Sequence, residues 1–232
     1  MLSIVIPTHN EENYLPILLG CLKRQTFRDF EVIVADANSK DATKKIASNF
    51  GCKVVKGGMP SVGRNAGTKQ AKGEWLLFLD ADVQLENDFI KKSLAEIRKR
   101  KIDAGGCKIV PISSNIIDKI YFGIYNAWCL LTQFFFPHST GSAIFCRKKI
   151  HNIANGFDET IIFAEDMDYV NRCSKIGRFR YLNNVEVDLS MRRYEKDGRL
   201  NVGLKILGAG LYRIFVGEIR TDLFKYKLKY KK

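Results

Sequence analysis

The chain has 232 residues, 46% of them hydrophobic and 27% charged, with a formal net charge of +13. That is an ordinary globular composition for one sizeable core with room for an appendage, and the basic excess points to anionic partners such as nucleotides, phospholipid surfaces or nucleic acid. Six cysteines stand singly with no C-x-x-C pair and there are three histidines, which argues against a disulfide framework or zinc centre and for reduced thiols in the cytoplasm.

Residues 2–6 read as a buried first strand, too short for the apolar region of a signal peptide. Pro7 should stop it, because proline cannot donate into a central ladder. A polar turn over 8–13 carries Thr8 and Glu11. Leu15, Leu18, Leu19 and Leu22 then mark one apolar helix face, with Pro16 tolerable in the first turn. A second strand over 30–35 ends at Asp36. Ser39 is expected to cap a helix that Asp41 favours electrostatically and Gly51 closes. A short strand over 52–55 and a helix over 61–71, closed by Gly73, follow. Trp75, Leu76, Leu77, Phe78 and Leu79 then run straight into Asp80-Ala81-Asp82. A half-exposed strand would alternate, so this one reads as buried on both faces.

This strand–helix alternation predicts an α/β fold, a mostly parallel sheet with helices on both faces. Thr8 with Glu11, Asp36, and Asp80 with Asp82 then sit at three strand ends, where open sheets bind ligands. Paired carboxylates there suit a hard divalent ion, Mg²⁺ or Mn²⁺, shared with a diphosphate; their plain alternative is a solvated strand end. Neither G-x-G-x-x-G nor a P-loop is present. Arg64 lies among Gly63, Asn65 and Gly67, which permit close backbone approach, and its fork suits phosphate or a base edge; a surface helix arginine is the alternative.

Beyond Asp82, residues 89–101 form an amphipathic helix and 104–112 a strand. Residues 120–136 carry no charge and many aromatics. They read as a helix buried against the sheet, as an interfacial segment meeting a lipid acceptor or, third, as a transmembrane span. A loop over 137–142 leads to a strand over 143–146. Glu165, Asp166 and Asp168 open a helix, as its dipole favours. Residues 179–182 and 185–189 read as closing strands. From 191 to 232 there are twelve Lys and Arg against four Asp and Glu. This suggests a basic, helical C-terminal segment for an anionic membrane surface, with the alternative of a helix docked on the domain. Arg192 and Arg193, just after the last strand, could reach back to a diphosphate.

Four ordered stretches, 3–11 (with Pro7 and Thr8), 32–41, 63–67 and 80–82, resemble the family 2 inverting glycosyltransferases with the GT-A fold, over the chain to about residue 189. The resemblance implies a GT-A domain over 1–190 and a nucleotide-sugar donor (a UDP- or GDP-sugar). It places Pro7, Thr8, Glu11 and Asp36 around the nucleoside, Arg64 on the nucleotide, Asp80 toward the ribose and Asp82 on the metal. It makes Asp166 the catalytic base and Glu165 an acceptor-side residue. Ala37-Asn38 departs from the usual pattern after Asp36, and no histidine follows His151 to ligate a metal. The acceptor would be a glycan or a polyprenyl-linked lipid, reached from the cytoplasm or the inner membrane face.

Two rivals use the same residues. Asp80-Ala81-Asp82-Val83 is similar to the nucleophile motif of haloacid-dehalogenase phosphatases, but that motif normally follows a first strand. A non-catalytic basic module for membrane or nucleic acid is the other. No nucleic-acid-binding signature appears, and such a module has no need of carboxylates at three strand ends.

Overall fold

The computed structural model describes residues 1–223; the basic run expected over 225–232 lies outside them. Along the chain come β1 (Leu2–Thr8), α1 (Leu15–Lys23), β2 (Phe30–Asp36), α2 (Thr43–Asn49), β3 (Lys53–Lys56), α3 (Pro60–Gln70), β4 (Trp75–Leu79) and β5 (Val83–Gln84). Then follow α4 (Phe89–Arg100), β6 (Ala104–Ile112), α5 (Ile116–Thr132), β7 (Ala143–Arg147), α6 (Lys148–Ile153), α7 (Glu165–Ile176), β8 (Leu182–Ser190), α8 (Arg192–Asp197) and α9 (Arg199–Phe215).

The strands form one sheet in the order β3-β2-β1-β4-β7-β6-β8-β5. Its first half is parallel, with β1 between β2 and β4. The second half is mixed: β7 runs antiparallel to both β4 and β6, and β5 is antiparallel to β8. The mostly parallel sheet expected from the sequence is found, four of its seven pairings being parallel, with β7 and β5 entering antiparallel.

β4 shows why the sheet has two covered faces. Leu77 and Leu79 join a core with Leu15, Leu18 and Leu22 of α1 and Ile90 of α4. Leu76 and Phe78 point the other way, into a core with Ile150 of α6 and Tyr169 and Cys173 of α7. Alternate side chains of one strand thus feed two helical layers, and each fully buried one contributes about 1.5–3 kcal/mol.

Several local expectations change. β1 continues through Pro7 to Thr8, in register with β2, whereas its pairing with β4 ends at Val5. Pro7 therefore sits where the strand has one neighbour, and its missing donor is tolerated. Ser39 does not cap α2; the capping position is Ala42, and Asp41 accepts from the Thr43 amide instead. Gly51 closes α2 as expected, at φ +76°. The two closing strands are one, β8, and α5 starts four residues earlier than expected. Asn126, which interrupts the apolar run, exchanges hydrogen bonds with the Ile109 amide (3.0 Å) and carbonyl (2.8 Å). It satisfies β6 beyond the point where β7 stops pairing with it, at Gly106.

Candidate functional site

The three parallel strands β2, β1 and β4 deliver their polar ends to one edge. Thr8 and Asp36 are register partners, and the Thr8 hydroxyl reaches Asp36 Oδ2 at 3.3 Å. Asp36 is buried and further held by the Ser39 amide (2.9 Å) and hydroxyl (2.5 Å). Ser39 therefore fixes the carboxylate rather than a helix. Its hydroxyl also receives the Asn10 amide at 2.9 Å, tying the turn after β1 to the turn after β2.

Asp80 and Asp82 leave β4 beside two guanidinium groups. Arg64 donates to Asp80 Oδ1 (2.8 Å) and to Glu165 Oε1 (2.7 Å). It is 2% exposed, with its ring neighbour Phe157 5.2 Å away. Burial works against its charge, but Asp80 and Glu165 more than offset that and keep it protonated. α3 can bring Arg64 here because Gly67 lies against β1, where an added Cβ would meet Val5 Cγ1 at 2.3 Å. Gly141 leaves room on the other side: a Cβ there would fall 2.1 Å from Arg64 Nη2. Arg64 is thus no surface helix arginine.

Arg192, at the start of α8, reaches the carboxylates of this edge. Its Nε donates to Asp82 Oδ2 (2.7 Å), and its two terminal nitrogens grip both oxygens of Glu11 (2.6 and 2.8 Å). The guanidinium lies 4.2 Å from the Tyr14 ring centroid. Burial raises the Glu11 and Asp82 carboxyls above their usual range against the pull of Arg192. A cleft of about 260 Å³ borders this group, lined by Tyr14, Asp82, Met191 and Glu195 among others. No cluster of three or more His, Cys, Asp or Glu that could hold a metal occurs among the described residues.

Glu165 and Asp166 open α7. The Gly141 amide donates to Asp166 Oδ2 at 2.5 Å. Burial first, then the Glu165 charge, push the Asp166 carboxyl up to about 7, with Arg64 opposing. Asp168 instead pairs with Arg172, one turn on, at 2.7 Å. All the residues expected at the site therefore lie on this edge or border it. Ser39, Tyr14 and Gly141 were not expected. Asp168–Arg172, at i, i+4, and Asp36–Ser39, three residues apart, are the pairs close enough in sequence to carry a local spacing signal.

A parallel sheet edge lined with carboxylates, with an acid-bearing helix beside it, matches the GT-A glycosyltransferase fold. The family model described as glycosyl transferase family 2 matches residues 3–149, and the chain belongs to that family. It is 34% identical over 111 residues to the poly(ribitol-phosphate) beta-N-acetylglucosaminyltransferase TarS of Staphylococcus aureus, covering 44% of this chain and 19% of that protein. It is also 34% identical over 140 residues to a 4,4'-diaponeurosporenoate glycosyltransferase of Staphylococcus haemolyticus, covering 56% of this chain and 36% of that one. The chain thus spans well under half the length of these relatives. Among solved structures, that of S. aureus TarS superposes with a TM-score of 0.68 at 23% identity, over 98% of this chain and 45% of TarS. A mannosyltransferase from Pyrobaculum calidifontis, in complex with GDP-Man and Mn²⁺, gives 0.64 at 18% identity, over 81% and 56%. The family favours the glycosyltransferase reading of Asp80 and Asp82 over the phosphatase and binding-module readings.

Proposed function

We propose that the chain transfers a sugar from a UDP- or GDP-sugar to an acceptor hydroxyl with inversion at the anomeric carbon, Asp166 taking the proton. The observation that carries this is the chain Asp80–Arg64–Glu165, which sets Asp166 beside the strand ends where a donor would lie. Pro7, Thr8, Glu11 and Asp36 hold the nucleoside, with the Asp36 carboxylate fixed by Ser39. Related folds have been solved with UDP-GlcNAc and with GDP-Man, which supports a nucleotide-sugar donor.

The acceptor oxygen attacks the anomeric carbon as the bond to the diphosphate breaks on the opposite face, and the hydroxyl proton passes to an Asp166 carboxylate oxygen. A carboxyl poised near 7 is a stronger base than an ordinary aspartate and is still half ionised at neutral pH. Arg64 keeps donor-side Asp80 and acceptor-side Glu165 in fixed relation while its charge stays shielded from solvent.

Asp80 and Asp82 are hard oxygen donors one residue apart and fit Mg²⁺ or Mn²⁺, whose shell donor phosphates and water would complete. When bound, such an ion stabilises the charge developing on the leaving diphosphate. Arg192 now holds Asp82, so it would give up that oxygen or share the carboxylate. The test is a thermal-shift panel of UDP, GDP and CDP and their sugars, with and without Mn²⁺ or Mg²⁺. A metal-dependent shift for one nucleotide supports the reading, and no shift with any nucleotide refutes it. No described helix is long and apolar enough to cross a membrane; the reading places the enzyme in the cytoplasm or at the inner face of a membrane.

A further inference from the structure

Two helices leave an apolar side uncovered among the described residues. On α5, Ile117, Ile120, Ile124, Trp128 and Leu131 are between 56% and 74% exposed. Their spacing keeps them on one stripe, while Phe122 and Cys129 on the opposite side are buried. Phe134, Phe135 and Phe136 extend the stripe past the helix end, and Phe135 is 91% exposed. α9 repeats the pattern: Leu200, Leu204, Leu207, Leu211 and Phe215 are exposed, and Val202 and Ala209 are buried.

The two helices are tied together where they begin and each connects to α7 where it ends. Arg199 at the start of α9 grips Asp118 in the first turn of α5, at 2.8 and 2.9 Å. Near the end of α9, Arg213 reaches the Met167 sulfur at 3.0 Å, one residue from Asp166. From α5, the loop after Phe136 leads in five residues to Gly141, whose amide holds Asp166. Five Cα–Cα steps span at most about 19 Å. The far end of each helix is thus linked to the acidic start of α7, through Arg213–Met167 and through Gly141–Asp166.

Cations flank the apolar tip. Arg180 stacks over Phe134 at 4.4 Å. Partial burial, and then the neighbouring charges of Arg178 and Arg100, make its own charge harder to keep. Arg180 thus sets a cation beside the exposed aromatics, with Arg178 exposed two residues before it, while Arg100 is held by Glu96. Lys119 is exposed on α5 itself. A second copy of this chain would bring the same +13 charge to such a face, which disfavours self-association. An anionic lipid surface satisfies both features at once, since apolar stripes and aromatics enter the acyl boundary while arginines meet headgroups.

We propose that the α5–α9 face docks on an anionic lipid surface, with the three phenylalanines and the two stripes in the acyl boundary and Arg178, Arg180 and Lys119 on the headgroups. Docked this way, Asp166 lies along the membrane and meets an acceptor hydroxyl carried by a lipid. That last step rests on the reading of Asp166 as the base; the docking does not.

The test is flotation of the full chain with vesicles of phosphatidylcholine, with and without phosphatidylglycerol, beside a Trp128→Ser/Leu131→Ser/Phe135→Ser variant. All three side chains are exposed, so the variant should fold and keep its UDP thermal shift. The expected result is flotation on the anionic vesicles alone, weakened by high salt, and a partition lowered about tenfold or more per apolar side chain removed. A wild-type chain that floats on neither vesicle, or equally on both, overturns the proposal, as does a variant that floats like wild type. A dimer seen by light scattering that the variant turns into monomer, without flotation, assigns the face to a second copy instead. Flotation retained with no thermal shift for UDP, GDP or CDP in either chain would refute the donor reading and leave the docking standing.

Discussion

Replacing Asp166 with Asn separates what this carboxyl does in catalysis from what it costs the fold. A group that titrates near 7, rather than near 3.9 as in an unfolded chain, is disfavoured as a carboxylate by about 4 kcal/mol above pH 7. The folded state binds the proton more tightly, so between about pH 4 and 7 the unfolded chain carries fewer protons and stability falls as pH rises. Asn cannot ionise, and its oxygen can still accept the Gly141 amide. Asp166→Asn should therefore match wild type in stability near pH 4 and exceed it by up to about 4 kcal/mol above pH 7. In a chain of this size each kcal/mol is worth about 2–4 °C in Tm. Transfer should fall by about 10²–10⁴-fold, the usual contribution of a general base, while the UDP-induced thermal shift persists. Melting curves from pH 4 to 8 and a product assay on the same samples check both halves. A variant less stable than wild type at pH 8 would refute the account of the raised carboxyl. Undiminished transfer would refute the base and point to an acceptor, such as a lipid phosphate, that is already an anion.

Three further substitutions probe the rest of the edge. Asp82→Ala should abolish the metal-dependent part of the nucleotide thermal shift and spare any shift seen without metal; a full metal-dependent shift in this variant would remove Asp82 from the ion. Arg192→Ala frees Asp82 and Glu11 from a charged hydrogen-bonding partner worth about 1.5–3 kcal/mol, so Mn²⁺ should bind the nucleotide-free chain about tenfold or more tightly; titration by calorimetry reads this, and unchanged affinity would mean that Arg192 does not compete with the ion. Gly141→Ala puts a methyl group 2.1 Å from Arg64 Nη2, so it should lower kcat and shift the acidic limb of the rate profile by loosening the Arg64 contacts, while KM for the donor changes little. An unchanged kcat and profile would show that Arg64 can move without cost to the reaction.

The fold was legible where one short-range rule decides the outcome. The run Trp75 to Leu79 has no alternation, and it is the strand that both helical layers pack on. The leucines of α1 and the left-handed Gly51 were equally plain. Expectations failed where tertiary context overrides a local signal. Pro7 looks like a stop, yet the missing second neighbour lets β1 run on. Ser39 has the chemistry of a helix cap, but a buried carboxylate three residues back claims it. The antiparallel entry of β7 into the sheet has no signature in residues 143–147, because direction is set by where the long α5 connection returns the chain. For residues 120–136 the buried-helix reading holds for one side only: that side of α5 is packed on β6 and the other is open.

The candidate site was legible as residue types at strand ends, but not as pairs. Arg192 and Glu11 are separated by 181 positions, Arg64 and Glu165 by 101, and no spacing rule links them. What the pairs add is a charge count. Among the described residues, the ion pairs of Glu11, Asp80, Asp82 and Glu165 at this edge, beside Asp166, are made with two guanidiniums, Arg64 and Arg192. The edge carries excess negative charge, and this adds to burial, the larger cause, in raising the Glu11, Asp82 and Asp166 carboxyls. A donor diphosphate brought to that edge alone would be repelled. Brought with a divalent ion it would not, and the ion would also relieve the repulsion that burial now magnifies. Metal dependence is thus an expectation of electrostatics as well as of the carboxylate spacing, and Arg192 is the residue that offsets part of the charge until the donor arrives.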